Sequence, residues 1–331
     1  MTNLYPIKFK PILKERVWGG VSLVKYLNKK TSGSKPIGES WEISGVQGDV
    51  SVASTGFLKG NDINEVIETY LGEFVGDAIY EKFGNEFPIL IKFLDIQDNL
   101  SLQVHPNDEV AIERHNSYGK TEFWYILDAD PGAKIYMGFN NDTTAIELYD
   151  KCNNDTVTEL LNVVNPKKGD YFFIEPGTLH AATGGILVAE IQQVSDITYR
   201  VYDWGREHNP ATARDMHLDL AIDCINYEKY ESKGVKPANS EKDEKEREIL
   251  VDCNYFKIEK INLAKTQRLD SQDFNSFVIY ICSEGKARIN GNGVSENIIK
   301  GETILVPAYM GEYTIEKVSD KCQLIEVTGK Y

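Results

Sequence analysis

Apolar positions along the 331-residue chain recur with two different periods, and the change of period marks out its parts. Up to about Leu58 the chain carries Gly, Ser and short apolar runs such as Trp41-Glu42-Ile43-Ser44, a pattern that predicts short strands joined by turns and no helix. Between residues 61 and 83 the period becomes helical. Ile63, Val66, Ile67, Tyr70, Leu71, Phe74, Val75, Ile79 and Phe83 fall on one face, Asp62 and Glu65 form a capping pair, and Gly84 is the stop. This predicts an amphipathic helical insertion over residues 59–84.

From residue 87 to 202 the β pattern returns in Ile89-Leu90-Ile91-Lys92-Phe93-Leu94, Phe123-Trp124-Tyr125-Ile126-Leu127, Tyr171-Phe172-Phe173-Ile174 and Ile186-Leu187-Val188-Ala189-Glu190-Ile191. Asp130-Pro131-Gly132 and Pro176-Gly177 supply turns. Many short strands with turn chemistry predict a mainly β fold of barrel or jelly-roll type. Helical stretches are expected at 142–162 and at 215–226, the second with Met216, Leu220, Ala221 and Cys224 on one face. Residues 232–248 end in a run of charges and read as a solvated linker. Beyond them short strands resume, and Lys300-Gly301-Glu302-Thr303-Ile304-Leu305-Val306 echoes Lys168-Gly169-Asp170-Tyr171-Phe172-Phe173-Ile174. The expected organisation is a first barrel from 1–58 and 85–231, the insertion at 59–84, the charged linker, and a second barrel over 249–331. The second copy has no histidine, so metal chemistry belongs to the first.

The charge balance narrows the partners. With 36 Lys+Arg against 51 Asp+Glu, a net charge of −15, the chain lacks the basic field that nucleic acid or an anionic membrane would require. No apolar run approaches the length of a membrane span, and the first ten residues lack a signal-peptide core, so a cytoplasmic location is expected. The five cysteines are odd in number, widely spaced and never in a C-x-x-C pattern, and so read as buried thiols.

Only five histidines occur, at 105, 115, 180, 208 and 217. Ser101, Gln103 and His105 share parity; if their segment is a strand, all three point to one face, where a Gln and a His can grip one ion. From that segment alone, a hydrogen-bonded histidine beside an ordinary glutamine fits equally well. His180 follows a strand and a tight turn that can return it to the same face, and Glu122 opens an apolar strand instead of lying in a solvated loop. Together they make a candidate nitrogen and oxygen ligand set for zinc or a similar divalent ion. His115 and His208 lie in polar stretches and read as exposed, and His217 reads as structural.

Four phrases then occur in order: Ser101-Leu102-Gln103-Val104-His105-Pro106, Gly119-Lys120-Thr121-Glu122, Glu175-Pro176-Gly177-Thr178-Leu179-His180-Ala181 and Thr198-Tyr199-Arg200-Val201-Tyr202-Asp203-Trp204-Gly205-Arg206. With Trp18-Gly19-Gly20, Glu39-Ser40-Trp41-Glu42-Ile43-Ser44 and Leu218-Asp219-Leu220-Ala221, they resemble the type I mannose-6-phosphate isomerases, zinc enzymes of the cupin superfamily, in their compact bacterial form. The resemblance covers the first two thirds closely and the tail loosely. It implies cupin-type double-stranded β-helix barrels, and an isomerase that interconverts mannose 6-phosphate and fructose 6-phosphate through an enediolate. It also implies one Zn²⁺ per chain, held by Gln103, His105, Glu122 and His180. Arg200 falls on the catalytic arginine, Ser101 and Lys120 on the sugar-phosphate pocket, and Trp18 and Glu42 in phrases associated with its wall.

Two departures from the general cupin pattern matter: Gln103 replaces the first histidine of H-x-H, and Glu109 takes the usual carboxylate position and so rivals Glu122. Lys120, Arg200 and Arg206 could make a local positive pocket in an acidic protein, although Arg206 fits ordinary surface pairing as well. The proton carrier stays open among a metal-bound water, Lys120 and a pocket carboxylate. The expected partner is a small sugar phosphate, with no obligate protein partner evident. A metal cupin of another reaction class, such as an oxygenase, and a non-catalytic sugar-phosphate sensor are the competing readings.

Overall fold

A computed structural model describes residues 3–31, 33, 35–231 and 246–331. In chain order, β1 (Ile12–Gly20), α1 (Ser22–Leu27) and β2 (Ile37–Ile43) lead into three short helices, α2 (Ile63–Tyr70), α3 (Gly72–Val75) and α4 (Asp77–Phe83). There follow β3 (Ile89–Ile96), β4 (Leu102–Val104), α5 (Asp108–His115), β5 (Glu122–Ala129), β6 (Lys134–Phe139), α6 (Ala145–Asn153), β7 (Leu161–Val164), β8 (Tyr171–Ile174), β9 (His180–Thr183), β10 (Ile186–Gln193), β11 (Tyr199–Tyr202) and α7 (Leu218–Ala221). The last part is all strand: β12 (Arg247–Asp252), β13 (Phe256–Asn262), β14 (Gln267–Asp270), β15 (Val278–Gly291), β16 (Val294–Ile299), β17 (Thr303–Val306) and β18 (Glu312–Gly329).

Two antiparallel sheets, β1-β2-β3-β10-β5-β8 and β11-β4-β9-β6-β7, face each other across a first core. Strand parity decides what enters it. Trp124, Ile126, Phe172 and Val188 from one sheet meet Ile135, Met137 and Ala182 from the other. The opposite parity, Phe123, Tyr125, Ala189 and Ile191, packs outward against Ile279, Ile281, Ile325 and Val327 of the C-terminal sheet, so two β units stand back to back. Glu122, Glu190 and Lys92 share the inward parity, which places charged groups where a barrel would otherwise be apolar. The C-terminal strands form one sheet in the order β12-β13-β18-β15-β16, with β14 on β18 and β17 on β15.

The echoed phrases are matching corners. Gly169 (φ 90°) and Gly301 (φ 84°) precede β8 and β17. Asp170 accepts from Lys167 N as Glu302 accepts from Ile299 N, and each glycine N–H reaches back to a strand carbonyl, Ile126 or Cys282. Cys282 therefore corresponds to Ile126, and Tyr280 to Trp124. Tyr280 hydroxyl donates to Glu326 as Trp124 Nε1 donates to Glu190, each glutamate lying directly across its sheet.

Several expectations need correcting. The insertion has the expected capping box between Asp62 and Glu65, but its helix is broken twice. Leu71 (φ 52°) ends α2 and is 44% exposed, and Gly76 (φ 102°) ends α3. A side chain on Gly76 would meet the Asn275 carbonyl at 2.6 Å, so close docking on the C-terminal unit decides that break. The other apolar positions are buried, Tyr70 only partly, because all three pieces pack on one core, which is how the pattern imitates a single helix. A six-residue helix, α1, stands where none was expected. The stretch over 142–162 contracts to α6 and a 3₁₀ turn, and that over 215–226 to the single turn α7, with Met216 and Leu220 exposed. Of the linker, residues 232–245 lie outside the described residues, and its last two residues, Arg247 and Glu248, already belong to β12. Near the N-terminus the chain serves the other unit: Ile7 pairs with Leu305, and the Leu4 carbonyl accepts from Asn292.

Candidate active site

The first barrel gathers three side chains from three strands or strand ends. Glu122 opens β5 on the inward face, His180 opens β9 after the Pro176-Gly177 turn, and His105 follows β4. Their ligand atoms all lie within 4.8 Å of one another, and all three residues are buried. Glu122 Oε2 is 3.4 Å from His105 Nε2, and Glu122 Oε1 is 3.1 Å from His180 Nε2. Gln103 pairs directly with His180 across β4 and β9, with its amide nitrogen 3.2 Å from His180 Nε2.

Each imidazole is fixed by its far nitrogen. His105 Nδ1 lies 3.0 Å from the Ile197 carbonyl and His180 Nδ1 2.9 Å from the Thr178 carbonyl. A carbonyl can only accept, so both Nδ1 atoms carry a proton and both Nε2 atoms are turned toward Glu122. Burial, then the Lys120 charge, push the His105 imidazole down to about 3, so it is neutral at pH 7. Burial opposes ionisation of Glu122, but His105, Lys120 and His180 outweigh it and hold the carboxyl well below the usual range. Lys120 Nζ approaches Glu122 Oε2 to 3.5 Å.

Among the described residues, His105 Nε2 and both Glu122 oxygens are buried without a hydrogen-bond partner. Leaving such atoms unmet costs on the order of 1–3 kcal/mol each, more when charged. Two imidazoles and an anionic carboxylate converging, with His105 Nε2 and both carboxylate oxygens unmet, fit a divalent cation in both charge and donor type. Glu109, the rival carboxylate, is exposed on the first turn of α5 and takes no part.

Gln103 and Lys120 also line a cleft of about 410 Å³ above this cluster, together with Trp18, Lys92, Glu190, Arg200 and Arg214. Six cations (Lys14, Arg16, Lys92, Lys120, Arg200, Arg214) and four carboxylates (Glu39, Asp49, Glu190, Asp196) line it, with Glu122 and Asp203 behind Lys120 and Arg214. Most are spoken for. Lys14 pairs with Asp49, Arg16 with Glu39, Lys92 with Glu190, and Arg214 with Asp203. Arg200 differs. Its register partner on β4 is Gln103, its guanidinium donates only to the Asp215 carbonyl, and its Nε has no partner. Among the described residues it makes no ion pair. Burial, then Arg214, push it down to about 10, so it remains charged at pH 7.

The remaining assigned positions fall out unevenly. Ser101 is buried, and its hydroxyl has no hydrogen-bond partner. Glu42 is a correction. On β2 the cleft takes Glu39 and Trp41, so by strand parity Glu42 projects from the opposite face, where it pairs with Lys29 at 2.7 Å. Arg206 is tied to Asp203, Asp98 and the Asn99 carbonyl, which makes it a clamp on its own loop. His208 is exposed; His217 accepts from Arg200 N, as a structural residue would, while His115, also exposed, nevertheless bonds the Tyr199 hydroxyl. Lys92 and Glu190 were not singled out by the sequence reading, although the signal was present: each is a charge in the middle of an otherwise apolar strand. Burial works against the Lys92 charge, but Glu190 and Glu39 raise it on balance.

Residues 7–158 match the family model of the phosphomannose isomerase type I catalytic domain, and residues 246–328 that of the mannose-6-phosphate isomerase cupin domain. The chain is 35% identical over 319 residues to mannose-6-phosphate isomerase ManA of Bacillus subtilis, covering 94% of this chain and 96% of that protein. The chain belongs to the type I phosphomannose isomerase family. A mannose-6-phosphate isomerase of Streptococcus mutans is 31% identical over 91% of this chain and 92% of its own. The crystal structure of the mannose 6-phosphate isomerase from Bacillus subtilis superposes with a TM-score of 0.84 at 30% identity, over 98% of this chain and 99% of that one. The apo form from Salmonella typhimurium, at 17% identity and a TM-score of 0.76, shares the fold. Among the described residues no helix is long and apolar enough to cross a membrane.

Proposed function

We propose that this chain is a zinc-dependent isomerase that interconverts mannose 6-phosphate and fructose 6-phosphate through an enediolate. The observation that carries the reading is the buried His105, Glu122 and His180 cluster, which lies beneath a cation-rich cleft in which Arg200 has no carboxylate partner. Tetrahedral nitrogen and oxygen ligands about 2.0–2.1 Å from zinc stand roughly 3.3 Å apart, and the contacts of Glu122 with the two imidazoles, 3.1 and 3.4 Å, are of that size. Gln103 would complete the set once its amide turns its oxygen inward.

Bound there, zinc would supply Lewis acidity toward the sugar's carbonyl and hydroxyl oxygens. The chain's own residues supply the rest. Arg200, always charged and planar, holds the negative oxygen that develops as the proton leaves carbon. Lys120 stands between the buried carboxylate and the cleft, where its Nζ can hold or pass a proton. The lysines and arginines that line the cleft offer the phosphate charge-assisted hydrogen bonds against the field of the acidic chain. Trp18 and Trp41 give the cleft apolar walls that exclude water and can pack on a sugar ring. This cation lining supports a sugar phosphate over the substrates of an oxygenase, and the family relationship points the same way.

The test is a coupled assay on mannose 6-phosphate with metal analysis of the same sample. Turnover that follows bound zinc supports the proposal, and absence of turnover in zinc-replete protein overturns it.

A further inference from the structure

Away from the cleft, two cysteines meet inside the C-terminal sheet. Cys282 on β15 faces Leu324 on β18, two residues from Cys322, so both thiols project from the same face of one pair of strands. Both belong to one buried core with Tyr280 and Leu324. Just past Cys282 the register slips: Ser283 is left unpaired, Glu284 faces Gln323 and Gly285 faces Cys322. Gly285 (φ 77°) is what permits the close approach, because a side chain there would lie 1.9 Å from the Lys321 carbonyl. The Cys282 thiol bonds the carbonyl of Gly285, the residue directly opposite Cys322. Cys322 in turn borders a cavity of about 320 Å³, lined also by Lys317, Lys321 and Glu284.

We propose that Cys322 and Cys282 form a hydroperoxide-reactive modification site, in which Cys322 is oxidised first and Cys282 closes it into a reversible strand-bridging disulfide. The Cys322 thiolate attacks the terminal peroxide oxygen, the O–O bond breaks, a sulfenic acid forms, and the alkoxide, or hydroxide when the oxidant is hydrogen peroxide, leaves and takes a proton. Cys282 sulfur then attacks the sulfenic sulfur, the S–S bond forms as the S–O bond breaks, and the Cys282 proton departs with that oxygen as water. Two thiols lose two electrons, and one hydroperoxide is reduced to water and its alcohol, or to two waters when it is hydrogen peroxide.

The order of reaction follows from the surroundings. The hydrogen bond from Cys282 and then the Lys317 charge hold the Cys322 thiol below its ordinary value, against burial, while the same contact with Cys322, then burial, raises Cys282. Burial pushes up the other three thiols, Cys152 to about 12. Cys322 leads because it borders the cavity beside Lys317 and Lys321, whereas Cys282 is fully buried and does not. None of these residues lines the metal cleft, and the site is independent of the isomerase reading.

The experiment uses the reduced full chain, treated with hydrogen peroxide, blocked with N-ethylmaleimide after unfolding, and mapped as non-reduced peptides. The expected result is a chain lighter by two hydrogens with a linked Cys282–Cys322 peptide, which disappears on adding dithiothreitol. Cys322→Ser should abolish the link, and Cys282→Ser should leave a sulfenic acid at Cys322 that dimedone traps. The wild-type peptide map needs no variant to fold. Recovery of Cys282 and Cys322 both alkylated while Cys152, Cys224 or Cys253 is consumed overturns the proposal, as does oxidation of wild-type Cys322 to a sulfinic acid without a link to Cys282.

Discussion

Gln103 on β4 faces His180 on β9 across a single pairing, and its amide nitrogen lies 3.2 Å from His180 Nε2. On its other side Gln103 is in register with Arg200. One residue therefore joins the buried ligand cluster to the cleft cation. Gln103→Ala should weaken metal binding by about 10–100-fold, the scale for losing a group that orients a ligand, whereas His105→Ala should lose the metal altogether. Competition with a chelator of known affinity reads both. Unchanged affinity in Gln103→Ala would remove Gln103 from the metal site.

Arg200→Ala should lower kcat by about 10²–10³-fold while the protein keeps its metal, since the arginine touches none of the three ligands. Arg200→Lys should restore little, because an ammonium cannot reproduce the planar fork. Steady-state kinetics with metal analysis would check both, and normal turnover of Arg200→Ala would show that the developing charge is held elsewhere.

Asp203 is fully buried and accepts from both Arg206 and Arg214, the second a wall of the cleft. Burial opposes its charge, but the two arginines win and lower its pKa from 3.8. A depressed folded pKa means the stabilisation is fully present above the unfolded value and is lost as pH falls through the folded one. Asp203→Asn should cost about 3 kcal/mol at pH 7, since it leaves two arginines without their anion. That gap should narrow as the pH drops below 3.8, as denaturant unfolding of both proteins at several pH values would record. A gap that is the same at pH 7 and pH 3 would contradict the assignment.

The capping box at α2 gives a smaller effect. Asp62 accepts from Glu65 N, and Glu65 returns the bond to Asp62 N. Asp62→Ala should destabilise the protein by about 1 kcal/mol without altering kcat. A chemical denaturation midpoint compared with turnover separates the two.

The ligand cluster was legible because its residues sit in short phrases whose order is specific and whose parity can be counted. Ser101, Gln103 and His105 share parity by arithmetic alone, and the Pro176-Gly177 turn announces that His180 returns. The cleft wall was harder. Glu39 and Glu42 stand in one phrase with opposite parity, and nothing local says which face looks into the cleft; that depends on how β2 lies beside β3. Lys92 and Glu190 could have been found by asking why a buried strand carries a charge. The broken insertion was hidden for the reverse reason: Phe74, Val75 and Ile79 keep a helical period because the pieces share a core, while the break at Gly76 follows from close docking on Asn275, some 200 residues further along the chain.

Removing and restoring the metal tests the central claim most directly. The protein is dialysed against a strong chelator, its metal content is measured, and turnover of mannose 6-phosphate is followed before and after graded addition of Zn²⁺. Activity should vanish with the metal and return in proportion to zinc bound, reaching its plateau at one ion per chain. Full turnover by protein shown to hold no metal would contradict the account.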